Sequence, residues 1–164
     1  MSERGLEHDH EGHLRALTGG GVDFVVIGGI AVMAHGYIRA TADTDITANP
    51  EVRNMERLSI VLGDLEAVLP GADPIAGDPI SARSLSFGGN RRFETRLGRL
   101  HIVQSPAGAP PYRDLSSRAI EVKLDDLKMR VCAYPDLIAM KEATARDQDR
   151  VDLAALREAR DEAC

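Results

Sequence analysis

Asp43 and Asp45 stand two residues apart in Asp43-Thr44-Asp45-Ile46-Thr47, a segment whose β-branched residues favour an extended strand. Side chains alternate between the faces of a strand, so both carboxylates are expected on one face. Two like charges side by side are unfavourable unless water or a cation separates them. Magnesium takes oxygen ligands and commonly joins one or two carboxylates to substrate phosphates. Upstream, the apolar run 24–27 is stopped by Gly28-Gly29 and followed by small and apolar residues as far as His35-Gly36. That order reads as strand, glycine turn and short helix. A diglycine lets the backbone approach a ligand with no Cβ in the way, and the start of a helix offers unpaired N–H groups to an anion. Glycine turn plus Asp-x-Asp strand describes a metal–triphosphate site, although each half alone also reads as a tight turn or a solvated strand edge.

The order Gly28-Gly29, His35-Gly36, then Arg39-x-Thr41-x-Asp43-x-Asp45 resembles the nucleotidyltransferase superfamily with the DNA polymerase β type of core. It is most similar to small bacterial proteins related to the AbiEii and MenT toxins. In that family the glycines hold the triphosphate and the Asp pair binds magnesium, which implies those roles for Gly28, Gly29, Asp43 and Asp45. Arg39 and Thr41 are assigned to the nucleotide site beside them, with a salt bridge to a neighbouring acid as the structural alternative for Arg39. Further on, Leu137-Ile138-x-Met140-Lys141 followed by Arg146-x-x-Asp149-x-x-Asp152-Leu153 is similar to the C-terminal motif of AbiEii-type proteins. The resemblance implies that Lys141 binds phosphate and that Asp149 positions it, through Lys141 or the base. Taken alone, these residues read as a solvated helix surface with helpful charge pairs.

The family also supplies a third metal-binding carboxylate from a later strand, in a setting similar to 97–103, and there this chain carries His101. Imidazole is a poor ligand for magnesium. His101 can be a general base, since an unperturbed imidazole titrates at about pH 6.5. It can favour manganese or another softer metal, or mark a domain that has kept only nucleotide binding. A histidine simply packed in a strand is the plain alternative. The activity the resemblance implies is transfer of a nucleoside monophosphate from a nucleoside triphosphate to an acceptor hydroxyl, with Mg²⁺ or Mn²⁺ as cofactor. The acceptor is transfer RNA or a protein for a toxin with an antitoxin partner, or an antibiotic or metabolite for a small-molecule enzyme.

The elements that must position these residues are legible in outline. The 164 residues, 43% of them hydrophobic, can bury one core, and a single α+β domain is expected, a mixed twisted sheet flanked by helices over 14–164, preceded by a flexible tail over 1–13. His8, His10 and His13 fall in that tail and read as solvated rather than metal-binding. A first helix carries Leu14 and Leu17. Asn49-Pro50-Glu51 signals a helix start, and apolar residues at helical spacing from Val52 to Leu69 extend it to Pro70-Gly71. Short strands are expected at 85–87, 92–95, 99–103, 119–124 and 127–134, with turns at Gly88-Gly89-Asn90, Leu97-Gly98 and Asp125-Asp126. The Pro- and Gly-rich stretch 105–113 reads as a surface connector or lid, and Tyr134-Pro135-Asp136 opens one helix or two in succession.

A net charge of −6 argues against a generally basic surface, while Arg91, Arg92, Arg96 and Arg99 leave room for a local patch. Two cysteines do not make a disulfide framework and fit a reducing cytoplasm. The first residues carry no apolar core of a signal peptide, and no apolar run is long enough to span a bilayer.

Overall fold

The structure is a computed structural model and describes residues 8–163. Within them the chain forms one α+β domain, ordered α1 (His10–Gly19), β1 (Phe24–Ile27), α2 (Gly28–Ala34), β2 (Asp43–Ala48), α3 (Val52–Asp64), α4 (Ala82–Leu85), β3 (Asn90–Thr95), β4 (Gly98–Val103), α5 (Tyr112–Arg118), β5 (Ile120–Leu124), β6 (Leu127–Val131), α6 (Tyr134–Thr144) and α7 (Asp147–Ala163). The strands make one mixed sheet in the order β3-β4-β2-β1-β6-β5. β1 is antiparallel to β2 and parallel to β6, and β2 is parallel to β4. Two hairpins, β3-β4 and β5-β6, form the flanks. No helix among the described residues is long and apolar enough to cross a membrane.

Alternation along the strands sorts the sheet into two unlike faces. Thr44, Ile46, Phe93, Thr95, Leu100 and Ile102 are buried on one face. The hydrocarbon side chains among them each contribute roughly 1.5–3 kcal/mol by leaving water. Asp43, Asp45, Arg92, Arg99 and His101 occupy the odd-numbered or register-matched positions between them and so share the opposite face. β1, at the centre, is buried along its whole length, as a strand covered on both sides must be.

The N-terminal segment departs from the expected solvated tail. Residues 1–7 lie outside the described residues, but Asp9 caps α1 by accepting from Gly12 N at 2.7 Å, and the helix is under way at His10. His13 is fully buried, its Nδ1 2.9 Å from Thr44 Oγ1 and its Nε2 2.8 Å from Thr95 Oγ1. His10 Nδ1 lies 2.8 Å from the same Thr44 hydroxyl. That hydroxyl has one proton and lies between two ring nitrogens, so at least one ring must donate to it. The two threonines on the buried face need polar partners, and α1 brings the imidazoles that provide them.

Other element boundaries also differ from those the periodicity marks. α3 stops at Asp64, well before Leu69, because Glu66 turns into the left-handed region (φ 55°) and Val68 instead exchanges two 2.8 Å backbone hydrogen bonds with Glu94 on the sheet edge. At its start Asn49 Oδ1 accepts from Glu51 N at 3.0 Å, and the first helical residue is Val52. In place of the expected strand 85–87, Leu85 ends α4, which Ser81 caps through Ser84 N at 3.1 Å, and Ser86 and Phe87 form the turn after it. Gly88 and Gly89 therefore join a helix to β3 rather than two strands. The stretch 105–111 is irregular as expected, but Tyr112 begins α5, which buries Leu115. β6 ends at Val131, and Cys132, buried just beyond it, donates its N–H to Val26 O at 3.0 Å. The C-terminal pattern is two helices, broken where Ala145 takes a left-handed conformation (φ 45°).

Burial, with the neighbouring His10 adding to it, pushes the His13 pKa down from 6.5 to about 4, against opposing pulls from Asp9 and the Gly98 backbone. A lowered folded pKa contributes stability that is complete above the unfolded value and is lost as pH falls toward the folded one. Urea midpoints should therefore fall between pH 6.5 and pH 4, with His13 accounting for on the order of 2–3 kcal/mol of the loss. In His13→Gln that component should vanish, so that wild type and variant converge as the pH is lowered. A constant difference between them across this range would refute the assignment.

Candidate functional site

The site begins where β1 runs without a gap into α2. Gly28 sits in the left-handed region (φ 67°), and a Cβ there would lie 2.2 Å from Asp45 Oδ2. A Cβ on Gly29 would lie 2.5 Å from Thr41 Oγ1. Glycine is thus required at both positions by the side chains of Asp45 and Thr41, which nest against the turn. Thr41 also accepts a 3.0 Å contact from His10 Nε2 on its carbonyl oxygen, which ties the segment before β2 to α1.

Register assembles the next layer. Asp45 lies directly across from His101 on β4, and His101 from Arg92 on β3; Asp43 lies across from Arg99, and Arg99 from Glu94. The two rows run side by side on the open face. His101 Nδ1 is 2.9 Å from Asp45 Oδ1, with both side chains less than one-fifth exposed. An ionised carboxylate can only accept, so Nδ1–H donates and a neutral ring keeps its lone pair on Nε2. Ligand atoms of Asp43, Asp45 and His101 all lie within 4.8 Å of one another, and this Asp-Asp-His cluster could hold a metal ion. The oxygens suit magnesium or manganese, whereas the imidazole suits softer ions. The position at which a third acid was expected is therefore beside the pair, and a histidine fills it.

Across the cleft α6 and α7 build a second bank. Lys141 Nζ is 3.1 Å from Asp149 Oδ1 and 3.0 Å from Asp152 Oδ2, and all three residues are buried. Arg39 grips Asp152 with both ends of its fork, at 2.7 and 2.9 Å. Asp149 Oδ2 accepts from Thr144 Oγ1 at 2.7 Å and from Arg146 N and Nε at 3.0 Å. Burial alone would raise the Asp149 pKa, but hydrogen bonds from Thr144, Arg146 and Lys141 overcome it and hold the carboxyl below its ordinary range. Asp152 is lowered likewise, burial being outweighed by Arg39, Lys141 and Gln148. Lys141, Arg39 and Arg146 against Asp149 and Asp152 leave one positive charge in surplus.

The structure thus brings every candidate residue to one cleft of about 1110 Å³, lined by Gly28, Gly29, Arg39, Thr41, Asp43, Asp45, His101, Lys141 and Asp149. The salt-bridge alternative for Arg39 is what its side chain does. Asp152 belonged to the C-terminal motif without a role of its own; its i, i+3 spacing from Asp149 was the signal that both acids share one helix face. The basic patch divides: Arg92 and Arg99 line the cleft, while Arg91 is tied to Ser84 and the Pro79 carbonyl and Arg96 to the Asp64 carbonyl. No protein-family model matches this chain, and no curated protein sequence matches it.

Removal of Asp152 would leave Arg39 without its acid and Lys141 with Asp149 alone, which Arg146 shares, so that buried positive charge is left uncompensated. Asp152→Ala should lower stability by about 3–5 kcal/mol, read as a drop in urea midpoint at pH 7. A loss below about 1 kcal/mol would show that the bank is a surface ornament.

Proposed function

We propose that this chain is a nucleotidyltransferase-like domain that moves a nucleoside monophosphate from a nucleoside triphosphate to an acceptor hydroxyl, the acceptor oxygen bonding to the α-phosphorus as the bond to the β-phosphate breaks and pyrophosphate leaves. The observation that carries this reading is the convergence of Asp43, Asp45 and His101 within 4.8 Å on the open face of the sheet, opposite the cationic bank of Arg39, Lys141 and Arg146. Asp43 and Asp45 would hold the divalent cation, Mg²⁺ or Mn²⁺, and their carboxylates fit that role. Such a cation supplies Lewis acidity at a phosphoryl oxygen. The surplus positive charge of the α6-α7 bank would attract the triphosphate, and the bare backbone at Gly28 and Gly29 would let it lie close to the sheet. With Nδ1–H directed to Asp45, His101 Nε2 would accept the proton of the acceptor hydroxyl. The acceptor, be it transfer RNA, a protein or a small molecule, would enter from the open side. A toxin role with an antitoxin partner stays within this proposal as one form of it.

A second reading is favoured by a specific observation: Lys141 already satisfies two buried carboxylates, and a histidine stands where the third acid was expected. Such a site can bind a nucleotide without transferring it. Titration calorimetry of the four nucleoside triphosphates, with magnesium and then manganese, tests what the two readings share. Metal-dependent binding by the native protein is expected, with its loss in Asp43→Ala, Asp45→Ala. Folded native protein that binds no triphosphate would end both readings.

The variants at His101 separate them. Once an acceptor is in hand, His101→Gln should lower transfer by about a hundredfold or more while triphosphate affinity stays within about twofold, as loss of a proton acceptor requires. Increased transfer in His101→Asp would instead identify a metal site weakened by the missing acid.

A further inference from the structure

Arg92 and Arg99 give the cleft a second cationic edge that the nucleotide reading leaves unused. Arg39, Lys141 and Arg146, on the far bank, are held at 2.7–3.1 Å by buried carboxylates of α7. The pair on the sheet is held differently. Among the described residues its acidic partner is Asp43, with Arg99 Nη1 3.3 Å from Oδ1 and Arg92 Nε 3.9 Å from Oδ2. Their side chains are 56% and 44% exposed, Arg92 and Arg99 respectively, and exposed pairs at such distances are weak.

Asp43 therefore has two kinds of claimant. It is one of the three side chains able to hold a cation, and it is also the anchor of both arginines. A divalent charge at ligand distance outcompetes a solvated guanidinium for the same oxygens. We propose that Arg92 and Arg99 form an anion site on the acceptor side of the cleft, which takes a phosphate group of the acceptor and is uncovered when Asp43 exchanges its arginine partners for a divalent cation. The word acceptor rests on the nucleotidyltransferase reading; the arginine site and its link to Asp43 do not.

Phosphate is the fitting anion because two guanidinium forks present paired donors to its oxygens. The site lies on β3 and β4, across the acid pair from the α6-α7 bank, so it is separate from the place assigned to the triphosphate. Two arginines in a chain of net charge −6, with Glu94 in the same row, suit one or two phosphate groups rather than a long duplex. Linkage is reciprocal, so an anion bound there must also tighten cation binding.

The probe is a short fluorescently labelled single-stranded RNA, followed by anisotropy with the full chain at constant ionic strength, without triphosphate. Wild type should bind it about tenfold more tightly with Mn²⁺ than with EDTA. Asp43→Asn should reach the tight state in EDTA, which a phosphate merely bridged by the metal would not explain. Arg92→Gln, Arg99→Gln should lose the gain and bind Mn²⁺ alone about threefold or more tightly, since Asp43 loses its competitors. Competition by ribose 5-phosphate at matched concentration would assign a small phosphorylated acceptor, and failure to compete would assign RNA. RNA binding by the double arginine variant equal to wild type, or no gain by Asp43→Asn in EDTA, would overturn the proposal. Mn²⁺ titration of wild type and the Asp43→Ala, Asp45→Ala variant without RNA reports separately on the metal reading.

Discussion

The parallel pairing of β2 with β4, Asp45 opposite His101 and Asp43 opposite Arg99, is the constraint on which the rest of the cleft depends. A strand has a period of two, so a slip of one residue in either strand would send its charged set into the hydrocarbon layer and its apolar set into the cleft. The buried face resists such a slip: Ile46, Leu100 and Ile102 are within 2% of complete burial, and Thr44 is held by two imidazoles of α1. The helix beneath the sheet thus specifies which side chains appear above it. Geometry at the acid pair is a consequence of packing on the opposite side.

The second bank answers a different requirement. Where they face the cleft, α6 and α7 bury Lys141, Asp149 and Asp152, and such charges are tolerated only when each is paired and hydrogen-bonded. Lys141 between Asp149 and Asp152, with Arg39 and Arg146 closing the outer oxygens and Thr144 taking another contact, meets that condition. Arg39 comes from the segment between α2 and β2, so the cluster also fastens the C-terminal helices to the part of the chain that carries the glycine turn. The same ion pairs that stabilise the bank leave it with one net positive charge toward the cleft, and structure and electrostatics there are a single arrangement.

Much of the sheet was legible because its strands are short apolar or alternating runs ended by strong breakers. β1, β2, β4 and β5 lie within a residue of the positions their patterns mark. Helix ends were less legible. Val68 continues the helical spacing of α3 yet pairs with Glu94, since an edge strand offers backbone hydrogen bonds that local propensity cannot register. His13 is illegible locally, because its charged and glycine-rich neighbours resemble a solvated terminus while its partners Thr44 and Thr95 lie 31 and 82 residues away.

By itself the sequence determined the residue types available for chemistry and their local order: two acids at strand spacing, a diglycine after an apolar run, a lysine and two acids on successive helices. Local periodicity is enough for that, because it reflects side-chain direction within one element. Only tertiary structure decided which of them meet. The crossing from β2 to β4 set His101 against Asp45, and the pairing of β3 with β4 brought Arg92 beside them. Packing of α7 on α6 closed two carboxylates around Lys141. Such contacts join residues eight to more than a hundred positions apart and are fixed by burial and register, neither of which any short window of sequence contains.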